Sequence, residues 1–152
     1  MITLNIKQSV IINQPLEEIF TYLSNLENLV DWSNIIIAIE KISPGELGIG
    51  ARVQCTVRFL GKWLTMTFEI VEYEPNRCLS IKSITGVAPC LFCYQIEPDE
   101  NGMVILSQEV IIHLTEEMLD LTTSSLTSVV RCQLAYDLRT LKDVLESRPF
   151  PV

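Results

Sequence analysis

The sequence predicts an α+β domain in which a curved antiparallel sheet of about seven strands wraps around one long C-terminal helix. Three observations predict it. From Leu126 onward, Leu126, Val130, Leu134, Leu138, Leu141 and Leu145 recur every three or four residues, which is one face of a helix. Between residues 51 and 112, short runs of alternating apolar and polar residues are separated by turn-forming clusters, the period of half-buried strands. No other segment carries a long helical period, so the terminal helix is the element available to cover the inner face of the sheet.

Taken in order, Ile2, Leu4, Ile6, Val10 and Ile12 alternate with Thr3, Asn5, Lys7 and Ser9, a strand over 2–12 with even residues inward and Gln8 as its one inward polar residue. Asn13-Gln14-Pro15-Leu16-Glu17-Glu18 offers a capping residue, a first-turn proline and two carboxylates at the positive end of a helix running to about Leu23. Ser24-Asn25-Leu26-Glu27 has capping-box form and predicts a second short helix ending near Trp32. Ile35 to Ile42 is β-branched and reads as a strand, followed by a loop at Ser43-Pro44-Gly45, Gly48 and Gly50. Ala51, Val53, Cys55, Val57 and Phe59 then alternate with polar residues. Gly61-Lys62 turns the chain, and Leu64, Met66, Phe68 and Ile70 form the partner strand. Leu79 and Ile81, then Phe92, Tyr94 and Ile96, then Val104, Leu106, Val110 and Ile112 continue the meander. The final helix is predicted over Thr115–Ser147. The order β-α-α-β6-α is a helix-grip.

The 152 residues, 48% of them hydrophobic, fit one domain over 1–152 with a core of its own. A net charge of −8 without a Lys/Arg cluster argues against nucleic acid and against an anionic membrane surface as partners. The start Met1-Ile2-Thr3-Leu4 lacks the form of a signal peptide, the longest apolar run, Ile35 to Ile39, is too short for an integral membrane segment, and five cysteines suit a reducing compartment. A cytoplasmic protein is expected.

Several motifs together resemble the START-related, polyketide-cyclase-like superfamily known as SRPBCC. They are Ile12-x-x-Pro15-x-Glu17-x-Ile19-Phe20-x-Tyr22-Leu23 with Asn28 and Trp32, Gly48-x-Gly50-x-Arg52, Glu69-Ile70-x-Glu72-Tyr73-x-Pro75, and the helix Leu134 to Glu146. The resemblance covers nearly the whole chain. Where the family often has a Gly-Thr turn before the last strand, this chain has Asn101-Gly102-Met103-Val104. The likeness implies a deep cavity between sheet and helix, used in different members for lipids, sterols, polyketides, quinones or plant hormones, and in others for cyclase or aromatase chemistry. A fold of this kind does not fix a function.

Residues able to carry chemistry are few. Cys90 and Cys93 form a Cys-x-x-Cys, but residues three apart on a strand point to opposite faces, so they read as packing thiols. With one histidine, His113, no metal site is expected. His113 shares parity with Ile105, Ser107, Glu109 and Ile111 and belongs on the outer face. Glu69, Glu97 and Glu109 also fall on outer parity, which leaves Gln8, Gln108 and Ser83 as the inward polar residues and Tyr94 as a weak acid. Gln8 and Gln108 read either as ligand contacts or as amides satisfying one another. Trp32 reads as the entrance or as packing of the helix pair. The stretch Leu121–Ser128, rich in Ser and Thr, is a weak helix start and reads equally as a gate or as close packing.

The expected function is binding of a small hydrophobic ligand (lipid, isoprenoid, quinone or polyketide-like) without cofactor or catalytic residue. The cavity is expected from Gln8, Trp32, Val53, Val57, Phe59, Met66, Phe68, Ile81, Phe92, Tyr94, Gln108, Leu126 and Val130, with no charge among them. The alternative is a polyketide cyclase or dehydratase, which an ionisable group inside the cavity, such as Glu72 or His113 turned inward, would favour. A homodimer through an exposed sheet edge is the third reading.

Overall fold

The computed structural model describes residues 2–59, 61–86, 88–115 and 123–149. Strand β1 (Ile2–Ile12) leads into α1 (Leu16–Ser24), a 3₁₀ turn (Leu26–Asn28) and the single turn α2 (Leu29–Trp32). Strands β2 (Ile36–Lys41), β3 (Arg52–Phe59), β4 (Lys62–Glu74), β5 (Cys78–Thr85), β6 (Cys90–Pro98) and β7 (Val104–Leu114) follow, and α3 (Thr123–Glu146) comes last. Among the described residues these strands form one antiparallel sheet in the order β1-β7-β6-β5-β4-β3-β2. The first strand thus lies beside the last, in register from Ile2 opposite Leu114 to Ile12 opposite Val104. This is the helix-grip that the periodicities predict.

Alternation sets the inner face. Along β7 every even residue from Val104 to Leu114 is buried and every odd one half-exposed, so His113 sits outside, its Nδ1 3.0 Å from Thr3 Oγ1. On β4 the alternation is broken by an extra residue at Val71: Ile70 stands opposite Ile81, but Glu72 stands opposite Ser80. Carried on unbroken from Leu64, the pattern would turn Glu72 inward. The bulge instead gives Tyr73 the inner position, where its ring meets Phe20 edge-on at 5.4 Å, and leaves Glu72 exposed, accepting the Ser80 hydroxyl at 2.8 Å. Gly86 has φ +130, and a Cβ there would lie 3.0 Å from Met66 Cγ, so the β5–β6 loop crosses the inner face where only glycine fits.

The helix starts differ from expectation. Pro15, not Asn13, occupies the N-cap of α1 without a side-chain cap, and the Asn13 backbone N–H donates to Glu146 Oε2 of α3 at 2.8 Å. The capping box at Ser24 does not form: Ser24 is the last residue of α1 and its hydroxyl donates back to the Thr21 carbonyl. Thr115, the predicted start of the last helix, is not helical, and the described part of α3 runs over Thr123–Glu146; residues 116–122 of the predicted span lie outside the described ones. From Thr123 through Ser128 the Ser/Thr-rich stretch is α-helical, while Leu121 and Thr122 lie outside the described residues.

The six apolar stripe residues of α3, Leu126 to Leu145, are all at most 2% exposed. Polar ties fix the helix along β1 and its exit. Gln8 Nε2 donates to the Arg131 carbonyl at 2.9 Å, and Lys142 Nζ donates to the Ile11 carbonyl at 2.7 Å. Gln14 Nε2 donates to the carbonyls of Leu145 (2.8 Å) and Arg148 (3.0 Å), groups a helix end leaves without an internal partner.

Candidate functional site

Among the described residues the side chains on the inner face of the sheet leave two small voids, the first closed by α3 and the second without a lining residue from it. The first, of about 30 Å³, is lined by Trp32, Phe68, Ile81, Tyr94, Gln108 and Asp137 together with Leu29, Ser33, Cys55 and Leu134. The second, of about 40 Å³, is lined by Val57, Phe59, Leu64, Met66, Ala88, Cys90 and Ile112. Ile35, Ile36, Phe68 and Phe92 line both and so form the partition. Phe68 and Phe92 meet edge-to-face across it, with centroids 6.1 Å apart. In place of a deep cavity, the described residues enclose two small spaces, of which the first has polar groups able to hold a water and the second is lined by apolar side chains and a thiol.

Nine of the thirteen residues expected at the cavity line these voids: Trp32, Val57, Phe59, Met66, Phe68, Ile81, Phe92, Tyr94 and Gln108. Four do not. Val130 and Leu126 are buried one and two turns toward the N-terminus from Leu134, the stripe residue that lines the first void. Val53 is buried but lines an outer groove with Leu47, Arg52 and Tyr73. Gln8 lies opposite Gln108 in the sheet, yet the two amides do not pair; Gln8 bonds to α3 and Gln108 to Tyr94.

The first void has a polar end. Tyr94 and Gln108 are cross-strand partners on β6 and β7, and Gln108 Nε2 donates to Tyr94 Oη at 3.1 Å. Trp32 stands edge-on to the Tyr94 ring at 6.2 Å and is buried, so it lines the void and packs the helix pair at once. Desolvation raises the Tyr94 hydroxyl above its ordinary pKa, keeping it a neutral donor.

Opposite the sheet stands Asp137, an ionisable residue the expectation of an uncharged cavity did not contain. It is 2% exposed. Its Oδ1 accepts the Asn34 N–H at 3.1 Å and Gln133 Nε2 at 3.0 Å, and Oδ2 is 3.5 Å from the Ser33 hydroxyl. That hydroxyl in turn accepts the N–H groups of Ile35 and Ile36. Burial pushes the Asp137 carboxyl up to about 6, against the lowering effect of these donors. The strand-parity argument missed it because it weighed carboxylates on strands alone. A signal was present: Asp137 is three residues after Leu134 and four before Leu141, within the apolar stripe.

Other candidates fall away from the site. Cys90 is buried at the second void and Cys93 lines a shallow depression on the outer face with Ser9 and Ser107, so the pair faces opposite sides of the sheet. Glu69 pairs with Arg52 at 2.9 Å and Glu109 with Lys7 at 3.7 Å, both on the outer face, where Glu97 is exposed. Ser83 is buried and accepts the Cys90 N–H at 2.8 Å. Among the described residues no three His, Cys, Asp or Glu side chains are grouped to hold a metal, and no helix is long and apolar enough to cross a membrane.

A sheet gripping a long helix over an apolar interior with one polar end defines a helix-grip protein of the START-related superfamily. The chain belongs to the family described as polyketide cyclase / dehydrase and lipid transport, whose sequence profile matches residues 3–146. No curated protein matches it in sequence. Among solved structures it is similar to a START superfamily protein from Mycobacterium smegmatis, with a TM-score of 0.79 at 12% identity over 95% of this chain and 98% of that one. It is also similar to a protein from Deinococcus radiodurans, with a TM-score of 0.71 at 14% identity over 94% and 97%. A third is Ara h 8.0201, with a TM-score of 0.70 at 13% identity over 96% and 99%. At these identities the likeness is one of fold.

Proposed function

We propose that the chain binds a small hydrophobic ligand, such as a lipid, isoprenoid, quinone or polyketide-like ring, in the space between the sheet and α3. The observation that carries this reading is the paired void itself: apolar walls throughout, with polar groups gathered at the end formed by Tyr94, Gln108 and Asp137. Pockets for drug-sized ligands measure roughly 300–1,000 Å³, far more than the two voids hold together, so binding requires their walls to move apart as well as the voids to join. The partition is built to allow it. Phe92, Ile35 and Ile36 are only half-buried although they face inward, and Ile36 opens β2, a sheet-edge strand held on one side and interrupted by a bulge before Ala38. The family's description, which includes lipid transport, supports the same reading.

A second reading, a polyketide cyclase or dehydratase, gains one specific observation: Asp137 is a buried carboxyl whose pKa is drawn toward neutrality beside the neutral hydroxyl of Tyr94, the pairing general acid–base chemistry uses. Against it, Asp137 already accepts three protein donors.

The test uses the two tryptophans. Trp32 is buried at the void and Trp63 is 63% exposed, so Trp63→Phe leaves Trp32 as the reporter. Titration with a panel of hydrophobic compounds is expected to change Trp32 emission saturably. No change across the panel would remove the binding reading, and turnover of a polyketide analogue that Asp137→Asn abolishes would move the conclusion to the enzyme.

A further inference from the structure

We infer that the ligand is neutral and carries a hydroxyl group, held between the Asp137 carboxylate and the Tyr94 hydroxyl, and that carboxylic acids such as fatty acids are excluded. The inference rests on the ligand-binding reading above and names the class of ligand that the same cavity selects. Three observations carry it. Among the described residues neither void is lined by Lys, Arg or His, and Asp137 is the one charged group that lines them. A ligand carboxylate would therefore be stripped of water beside a like charge with no cation to offset it.

The second observation is a complementary pair of unused hydrogen-bonding capacities at the same end. Oδ1 of Asp137 takes two donors, whereas Oδ2 has only the Ser33 hydroxyl at the long distance of 3.5 Å, so acceptor capacity remains there. Tyr94 Oη accepts from Gln108, and among the described residues its own proton is given to no protein group. A hydroxyl satisfies both, donating to the carboxylate and accepting from the tyrosine. An ammonium has protons to give but no lone pair for Tyr94, and a carboxylate has lone pairs but no proton for Asp137.

The third is the walls. Trp32, Tyr94, Phe68 and Phe92 present ring edges and faces to the voids, which suits a ring or flat chain behind the hydroxyl. With its pKa raised only to about 6, Asp137 stays ionised at pH 7.5.

The experiment compares 4-butylphenol, 4-butylbenzoate and butylbenzene at pH 7.5, following amide and indole shifts by NMR in the wild-type protein, Asp137→Asn and Tyr94→Phe. The wild type is expected to bind the phenol about tenfold more tightly than the hydrocarbon and the benzoate at least about tenfold more weakly than the phenol, since each tenfold step corresponds to about one well-made polar contact. Asp137→Asn is expected to raise benzoate affinity by about tenfold with little change for butylbenzene. Tyr94→Phe should cost the phenol its advantage and leave the hydrocarbon unaffected. If the wild type takes benzoate as well as phenol, or if neither variant alters the ranking, the inference is overturned. If none of the three compounds binds to any of the three proteins, the cavity does not open and the ligand-binding reading itself falls.

Discussion

Asp137 and Asn34, 103 positions apart, are joined by a hydrogen bond of 3.1 Å from the Asn34 backbone N–H to the carboxylate Oδ1. The bond holds the α2–β2 junction against α3 at the polar end of the first void. It joins two properties in one residue, because the carboxylate that secures this junction is also the charge exposed to the interior.

The raised pKa of Asp137 makes its contribution to stability pH-dependent. A carboxyl whose folded pKa (about 6) lies above its ordinary value of 3.8 favours folding most when protonated. That contribution is complete below about pH 3.8 and is lost as pH rises through about 6. Asp137→Asn keeps an acceptor for the Asn34 N–H and has no such titration. Its stability relative to wild type, read from urea midpoints, is expected to increase between pH 4 and 7 and to level off above. A difference that does not vary with pH would contradict the assignment.

Phe92→Ala is expected to remove the partition shared by the two voids. The variant should lose about 3–5 kcal/mol of stability if fully buried, and less here because Phe92 is half-exposed. It should also bind larger hydrophobic compounds more tightly than wild type. Calorimetric unfolding and Trp32 emission check the two effects.

The ties to α3 predict a smaller effect at Gln14. Gln14→Ala removes the side-chain donor from two carbonyls at the helix end, leaving that of Leu145 with only the Arg148 N–H at 3.3 Å and that of Arg148 without its Gln14 bond. A loss of about 1–3 kcal/mol is expected, against about 2–5 kcal/mol for Leu141→Ala in the closed stripe. Chemical denaturation of both variants provides the comparison.

The cysteines should divide by environment. Burial pushes the thiols of Cys55 and Cys90 up to about 12, while Cys132 is exposed on α3. With a thiol reagent at pH 8, Cys132 is expected to react at once, Cys55 and Cys90 only at the rate of unfolding. Rapid native reaction of either buried thiol would show that the interior opens more readily than the structure indicates.

Much of this was legible in the sequence because strand alternation is a strong local signal. The inward set from Val57 to Gln108 and the outward place of His113 both follow from counting by two. What escaped was set by tertiary structure. Glu72 is turned out by a bulge that a single strand does not announce. The cap of α1 falls at Pro15 rather than Asn13, whose N–H is tied to Glu146, 133 positions away, and Gln8 bonds to a helix carbonyl rather than to its neighbour in the sheet. Asp137 was written in the apolar stripe of α3, one position before Leu138, where a polar residue inside a leucine pattern has to find buried partners. The size of the voids depends on how far the side chains interdigitate, which no periodicity specifies.

The central claim, that the interior between sheet and α3 receives a hydrophobic ligand, is tested most directly by native mass spectrometry of the protein as isolated from cells, before and after organic extraction. The account predicts an adduct of small-molecule mass that extraction removes and that Ile81→Trp, which fills the first void, prevents from forming. A wild-type protein that carries no adduct, and that takes up none from a panel of neutral hydrophobic compounds added after extraction, would contradict it.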